Sequence, residues 1–256
     1  MVEIGPKKID RRRLLLRATA AVSVLGLAAC DKLSNTPWWQ SMLGSAEDLD
    51  RNLQKLLAGR PTMAPEFAAS QISPTFKPNG TLDPDTPVYA ALAQNNFVDY
   101  QLEVAGLVEQ PGKFSLADLQ ALPSRTQITR HDCVEGWSVI GKWMGARLSA
   151  VLERVKLKPE ARYIVFRCFD SIDDDQYYES IDMDDALHEQ TILAYELNDK
   201  PLEVANGAPL RLRVERQLGY KMAKYVMKIE AVASFADIGG AGGYWEDQGY
   251  TWYAGI

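Results

Sequence analysis

Apolar and polar positions alternate over short stretches of the chain and predict a set of strands joined by turns. Tyr100 to Ala105 sets Leu102 and Val104 against Gln101 and Glu103, and Pro111-Gly112 turns the chain after it. Thr126 to Asp132 reads as an extended run leading into Cys133, and Tyr163 to Cys168 as a short apolar strand. Ile192 to Leu197, Leu210 to Val214 and Tyr225 to Val232 add three more, with turns at Asn198-Asp199 and Asn206-Gly207. Helical spacing is rarer. Ser45 caps a run with Glu47 and Asp48 in its first turn, Leu49, Leu53, Leu56 and Leu57 on one face and Gly59 as its stop, which predicts a docking helix. Ser115 caps a shorter one with Leu116, Leu119 and Leu122, and Leu148, Val151, Leu152 and Val155 mark a third. Strands outnumber helices and short turns join them, so the fold class is α+β, with mixed sheets and short helices.

The periodic part does not start at residue 1. Arg11-Arg12-Arg13 precede Leu14-Leu15-Leu16, and Ala18 to Ala29 is an apolar run of small residues too short to cross a bilayer. Leu27-Ala28-Ala29-Cys30 resembles a lipoprotein signal, in which Cys30 becomes the lipidated first residue of the mature chain; the arginines followed by leucines resemble a twin-arginine export signal. The expected organisation is a signal peptide over 1–29, an N-terminal helix and proline-rich wrapping segment over 30–92, a catalytic domain over 93–236 and a glycine and aromatic tail over 237–256. Six prolines between Pro61 and Pro87 mark the wrapping segment, since so long a stretch without an element wraps a domain or covers a site. In the tail, Tyr244, Trp245, Tyr250, Trp252 and Tyr253 either pin the C-terminal segment to the body or wall a binding mouth, and packing is the reading adopted.

Charge narrows the partners. Without residues 1–29, which hold six basic and two acidic side chains, 22 cationic residues face 32 anionic ones, a formal charge of −10. That balance argues against nucleic acid, which is bound by a cationic surface that displaces counterions. Membrane attachment would then come from the lipid on Cys30. Of three cysteines only Cys133 and Cys168 remain, free to form one disulfide or to offer one thiolate to a metal. With only His131 and His188 besides, and no Cys-x-x-Cys pair, a conventional zinc site or attached haem is excluded. Asp173-Asp174-Asp175 lacks the spacing of a calcium loop and reads as a solvated turn.

The chemistry concentrates in Arg130-His131-Asp132-Cys133-Val134-Glu135-Gly136-Trp137-Ser138, followed by Gly141-Lys142-Trp143-Met144-Gly145. Ionisable groups, tryptophans and glycines around one thiol make poor core and good site material. Together with Asn206-Gly207-Ala208-Pro209-Leu210-Arg211 and Gly219-Tyr220-Lys221, this pattern resembles the sulfite oxidase family of molybdopterin-dependent oxidoreductases, and within it the branch that reduces methionine sulfoxide in periplasmic proteins. The likeness runs from about Asn95 to Ser234. It implies the molybdopterin-binding fold of that family, a molybdenum-molybdopterin cofactor, and Cys133 as the protein ligand to the metal, a role that suits a soft thiolate. It also implies cofactor contacts at Asn95, Val98 and Asp99, where Val98 and Asp99 replace the family's tyrosine and glutamate, at Asn206 and Arg211, and at Gly219, Tyr220 and Lys221. Cys168 falls where relatives carry a cofactor-contacting threonine. It either contacts the cofactor or pairs with Cys133, and a disulfide would remove the metal ligand.

Sulfite oxidases follow their cysteine with a basic run, whereas Val134-Glu135-Gly136-Trp137 suits a neutral or thioether-like substrate, so sulfoxide reduction is the expected direction and sulfite-type oxidation the alternative. A non-catalytic lipoprotein of the same fold is the alternative from another class. His131 is the nearest proton donor in sequence and also fits a structural histidine. The sequence holds no single-electron carrier motif, so a separate haem protein is expected to exchange electrons with a monomeric chain.

Overall fold

The computed structural model describes residues 62–236 and 238–256, with Thr36, Leu49 and Leu53 besides. The expected signal segment and most of the helix expected after Ser45 lie outside the described residues; Leu49 and Leu53 themselves are helical and exposed. Everything below belongs to the compact unit Gln54–Ile256.

The elements run α1 (Pro87–Gln94), β1 (Gln101–Gly106), β2 (Gly112–Ser115), α2 (Leu116–Gln120), β3 (Ser124–Asp132), β4 (Ser138–Arg147), α3 (Leu148–Val155), β5 (Tyr163–Ile172), β6 (Asp175–Asp182), α4 (Met183–Ala186), β7 (Ile192–Leu197), β8 (Lys200–Pro201), β9 (Arg211–Arg213), β10 (Val226–Val232) and α5 (Tyr244–Asp247), with 3-10 turns at Ala69–Gln71, Val204–Asn206 and Gly219–Lys221. They build the expected α+β fold. One sheet has the order β2-β1-β10-β5-β6, parallel only between β1 and β10; the other has β3-β4-β7-β8, antiparallel, with β9 also on β7. A shared apolar core takes Val104, Phe166 and Ile229 from the first sheet, Leu193 and Leu212 from the second, and the apolar face of α3.

Local chemistry explains the elements that the sequence announces. Leu102 and Val104 are buried while Gln101 and Ala105 are not fully so, the one-sided burial that alternation implies. At α2, the Ser115 hydroxyl accepts the Asp118 N–H at 3.1 Å while the Asp118 carboxylate accepts the Ser115 N–H at 2.9 Å, a reciprocal cap. In α3 all four apolar residues read from the sequence are buried. The Asp173-Asp174 turn is confirmed, with both residues at positive φ between β5 and β6.

Three elements depart from the sequence reading. The helix α1 begins where an irregular segment was expected to end, started by Thr86 as cap and Pro87 in its first turn. The strand β6 is masked by its buried polar residues Glu179 and Ser180. The glycine-rich passage 141–145 is the middle of β4, between β3 and β7. Its glycines serve packing: a Cβ on Gly145 would lie 2.6 Å from the Ala194 Cα on β7, and one on Gly141 would meet Leu197 and Phe76.

The proline-rich segment lies along β3 and β4. The Phe67 N–H donates to the Ile128 carbonyl at 2.9 Å. The Ser73 N–H donates to the Ile140 carbonyl and the Ile140 N–H to the Ser73 hydroxyl, both at 3.0 Å, and Phe76 packs edge-on against the buried Trp143 at 5.0 Å. The Gly145 contact gives a direct test. Gly145→Ala forces β7 away from β4 at its bulge and should destabilise the fold by about 2–3 kcal/mol, measured by chemical denaturation; an unchanged midpoint would mean that the two strands part freely.

Candidate active site

Cys133 leaves the end of β3 in a tight turn closed by its own N–H on the Trp137 carbonyl at 2.9 Å and by the Gly136 N–H on the Cys133 carbonyl at 3.0 Å. Gly136 sits at φ +84°, where a side chain would be strained. The turn delivers the thiol to a cleft, open in part to solvent, whose wall includes Cys133, Glu135, Arg211, Gly219, Tyr220 and Lys224. Burial pushes the Cys133 thiol up from its ordinary pKa, with Glu135 adding to it, against backbone N–H groups of Glu135 and Val134 that pull it down. The group therefore stands as a thiol until something cationic displaces the proton.

Two arginines of β9 flank the buried indole of Trp143, Arg213 at 4.3 Å and Arg211 at 5.4 Å from the ring centre. Arg213 is fully satisfied. It makes a two-pronged pair with Glu215 at 2.8 and 2.6 Å, and its Nη1 donates to the His131 Nδ1 at 3.0 Å. Arg211 is not. Its Nη1 reaches only the Asn206 carbonyl at 3.3 Å, while Nε and Nη2 are buried without a partner. Burial, then the neighbouring Arg213, lowers the Arg211 guanidinium to about 9. An uncompensated buried cation on a cavity wall is a receptor for an anion or an acceptor-rich heterocycle.

Lys224 belongs to the same wall. Its ammonium donates to the carbonyls of Asn79 at 2.7 Å, Ala205 at 2.9 Å and Thr81, tying the wrapping segment to the cleft. Burial and then Arg211 lower it to about 7, while burial raises the nearby Asp170 to about 6. Sequence reasoning missed both, although Lys224 is a lone charge in the apolar run Met222-Ala223-Lys224-Tyr225-Val226. It also left Trp245 and Tyr250 of the tail as packing residues; they pack and they line the cleft.

Of the residues expected around a cofactor, the structure brings Cys133, Arg211, Gly219 and Tyr220 to one cavity. Asn206 touches Arg211 through its carbonyl, and its side-chain Oδ1 is buried and unpartnered in a neighbouring depression. The side chain of Lys221 goes elsewhere: Glu179 and Glu246 hold its ammonium in full burial. Asn95 donates to Asp99 at 2.6 Å, both line a separate groove with Phe169, and Val98 is exposed. Cys168 lies in the core and, like Cys133, is a free thiol, so the disulfide alternative does not form. His131 is wholly buried under Gly219, where a Cβ would come within 2.5 Å of its Nε2. Burial, then Arg211 and Arg213, hold its imidazole neutral, so it has no proton to lend and supports the wall instead.

Comparison with known proteins follows the same residues. The family described as oxidoreductase molybdopterin binding domain matches residues 89–237. A protein of Azospira oryzae, named provisionally as protein-methionine-sulfoxide reductase subunit YedZ1, is 34% identical over 97% of this chain and 89% of its own length. The protein-methionine-sulfoxide reductase catalytic subunit MsrP of Ralstonia nicotianae is 30% identical over 90% of this chain and 71% of its own, and that of Campylobacter jejuni 34% identical over 55% and 52%.

The lysine gives a signed pH effect in the cofactor-free protein. Its folded pKa is depressed to about 7 from an unfolded 10.5, so the folded state is penalised while Lys224 is charged and gains stability as pH rises from about 7 toward 10. Wild type minus Lys224→Met should therefore show a stability difference that grows by a few kcal/mol, as an order of magnitude, between pH 7 and 9.5 in denaturant titrations. A flat difference would remove the depressed pKa.

Proposed function

The chain belongs to the sulfite oxidase family of molybdopterin-dependent oxidoreductases, and from that membership and its own cavity we propose that it reduces sulfoxides. It is an oxidoreductase whose cofactor is molybdenum-molybdopterin. The residues present fit that group. Cys133 offers a single thiol, and the unpartnered Arg211 Nε and Nη2 are donors that a phosphate-bearing heterocycle satisfies. Among the described residues no three His, Cys, Asp or Glu side chains cluster at metal-ligand distance, so the protein would hold the metal through Cys133 and the rest of the cofactor through Arg211. Bound there, the cofactor supplies two-electron oxygen-atom transfer.

The observation that carries the substrate class is the state of the cations. Lys224 is committed to three carbonyls and Arg211 to the cofactor side of the cavity, so Val134, Glu135, Tyr220, Trp245 and Tyr250 add no positive charge of their own to the wall, and the cation nearest the thiol, Lys77, lies over the Trp137 ring at 4.6 Å. Glu135 repels a sulfite dianion, whereas a neutral sulfoxide loses nothing by approaching it. In the overall reaction a sulfoxide takes up a pair of electrons and a pair of protons, its sulfur–oxygen bond breaks, and a thioether and water leave. The His131 imidazole, buried and neutral, does not supply those protons; solvent at the open side of the cleft does. The electrons come from a separate haem protein, a reading supported by the word subunit in the names of the relatives. The working form is a monomer in the periplasm, lipid-anchored through Cys30.

Metal analysis and a redox-dye assay test this. The exported protein should carry one molybdenum per chain, and Cys133→Ser should lose it together with sulfoxide-dependent oxidation of reduced dye. Full occupancy in Cys133→Ser would remove the ligand assignment; an unmetallated wild type would favour the non-catalytic lipoprotein, and activity only as sulfite-dependent acceptor reduction would reverse the proposed direction.

A further inference from the structure

The C-terminal segment gives the cleft a continuous aromatic face. Tyr177 of β6, Tyr244 and Trp245 of α5, then Tyr250 and Tyr220 form an unbroken run of rings, with successive centres 5.7, 5.3, 5.2 and 5.3 Å apart. The Tyr177 hydroxyl closes the run by donating to the Tyr220 carbonyl at 2.8 Å. Four of the five rings, all but Tyr244, line the same cavity as Cys133. The Tyr220 hydroxyl is spent on the Thr251 carbonyl at 2.6 Å, so this side chain offers its ring rather than its oxygen.

The arc is held from behind. Glu246 of α5 shares the buried Lys221 ammonium with Glu179, the next residue of α5, Asp247, accepts from the Tyr178 hydroxyl, and Ser180 accepts the Trp252 indole N–H at 2.9 Å. Ring positions fixed in this way form a preorganised surface with little left to order on binding. Aromatic faces and edges attract polarised sulfur and the methyl hydrogens beside it, and they give an oxyanion nothing.

We propose that Trp245 and Tyr250 determine specificity by holding the S-methyl arm of a methionine sulfoxide side chain against this arc, beside the Cys133 thiol. The assignment rests on the sulfoxide reading above and adds to it the residues that hold the alkyl arm of the substrate. Sulfoxides without an alkyl arm long enough to span the rings bind more weakly, and small oxyanions do not bind there.

The test is a calorimetric titration of the oxidised, molybdenum-loaded protein, without reductant, with an N-acetylated, amidated methionine sulfoxide. Wild type should bind. Tyr250→Leu and Trp245→Leu should each weaken binding about fivefold and together about tenfold or more, at unchanged molybdenum content, while Tyr250→Phe should restore the wild-type value. Tyr250 is partly exposed, which keeps its variant foldable if Trp245→Leu is not. No binding by wild type, leucine variants that bind as tightly, or a Tyr250→Phe as weak as Tyr250→Leu would each overturn the proposal. Ring-dependent binding without sulfoxide turnover in the dye assay would leave the aromatic wall standing and remove the reductase reading; turnover with ring-independent binding would do the reverse.

Discussion

The contact between Gly219 and the His131 imidazole is the joint on which the site is built. Because residue 219 has no Cβ, the Gly219–Lys221 turn settles directly on the ring at the end of β3. The other edge of the same ring accepts from Arg213 on β9. The cysteine turn is thereby brought to the arginine strand, 82 residues on from His131, and to the Gly219 turn that follows it, around a neutral side chain. Charging that ring would set an imidazolium against two buried guanidinium groups, so its neutrality is a condition of the arrangement.

The buried charges around this joint fall into two kinds. Arg213 with Glu215, and Lys221 with Glu179 and Glu246, are closed networks in which each cation has its acceptors. Such networks fix geometry more than they add net stability, because desolvation offsets much of the attraction. In the second network two carboxylates face one ammonium, and burial, opposed by Lys221 and reinforced by Glu246, holds the Glu179 carboxyl well above its ordinary range. Arg211 is the other kind, a desolvated cation whose free donors have no acceptor within the protein. Its cost to the fold is a measure of what a bound cofactor returns.

Legibility in the sequence followed the range of the interactions. β1, β10 and the apolar face of α3 could be read because one-sided burial writes itself into neighbouring residues. β4 could not, since its glycines answer to β7 and to Phe76 rather than to their own neighbours. Cys133, Arg211, Gly219 and Tyr220, which line one cavity, were named from local motifs. Lys221 was misplaced because the carboxylates that claim its side chain are 42 and 25 residues away. Lys224 was overlooked because its partners are backbone carbonyls, which leave no trace in residue identity. For the tail, packing was preferred over a binding mouth because aromatic residues have the same composition whether they face a core or a cavity.

The route of the chain around the cleft also sets an order in time. Cys133 is synthesised more than a hundred residues before Tyr250, yet both face the same space. Without the tail, the Lys221 ammonium would lack one of its two carboxylates and the cleft its Trp245 and Tyr250 side. The wall of the cleft is therefore complete only when the tail has docked, whatever the state of the two sheets.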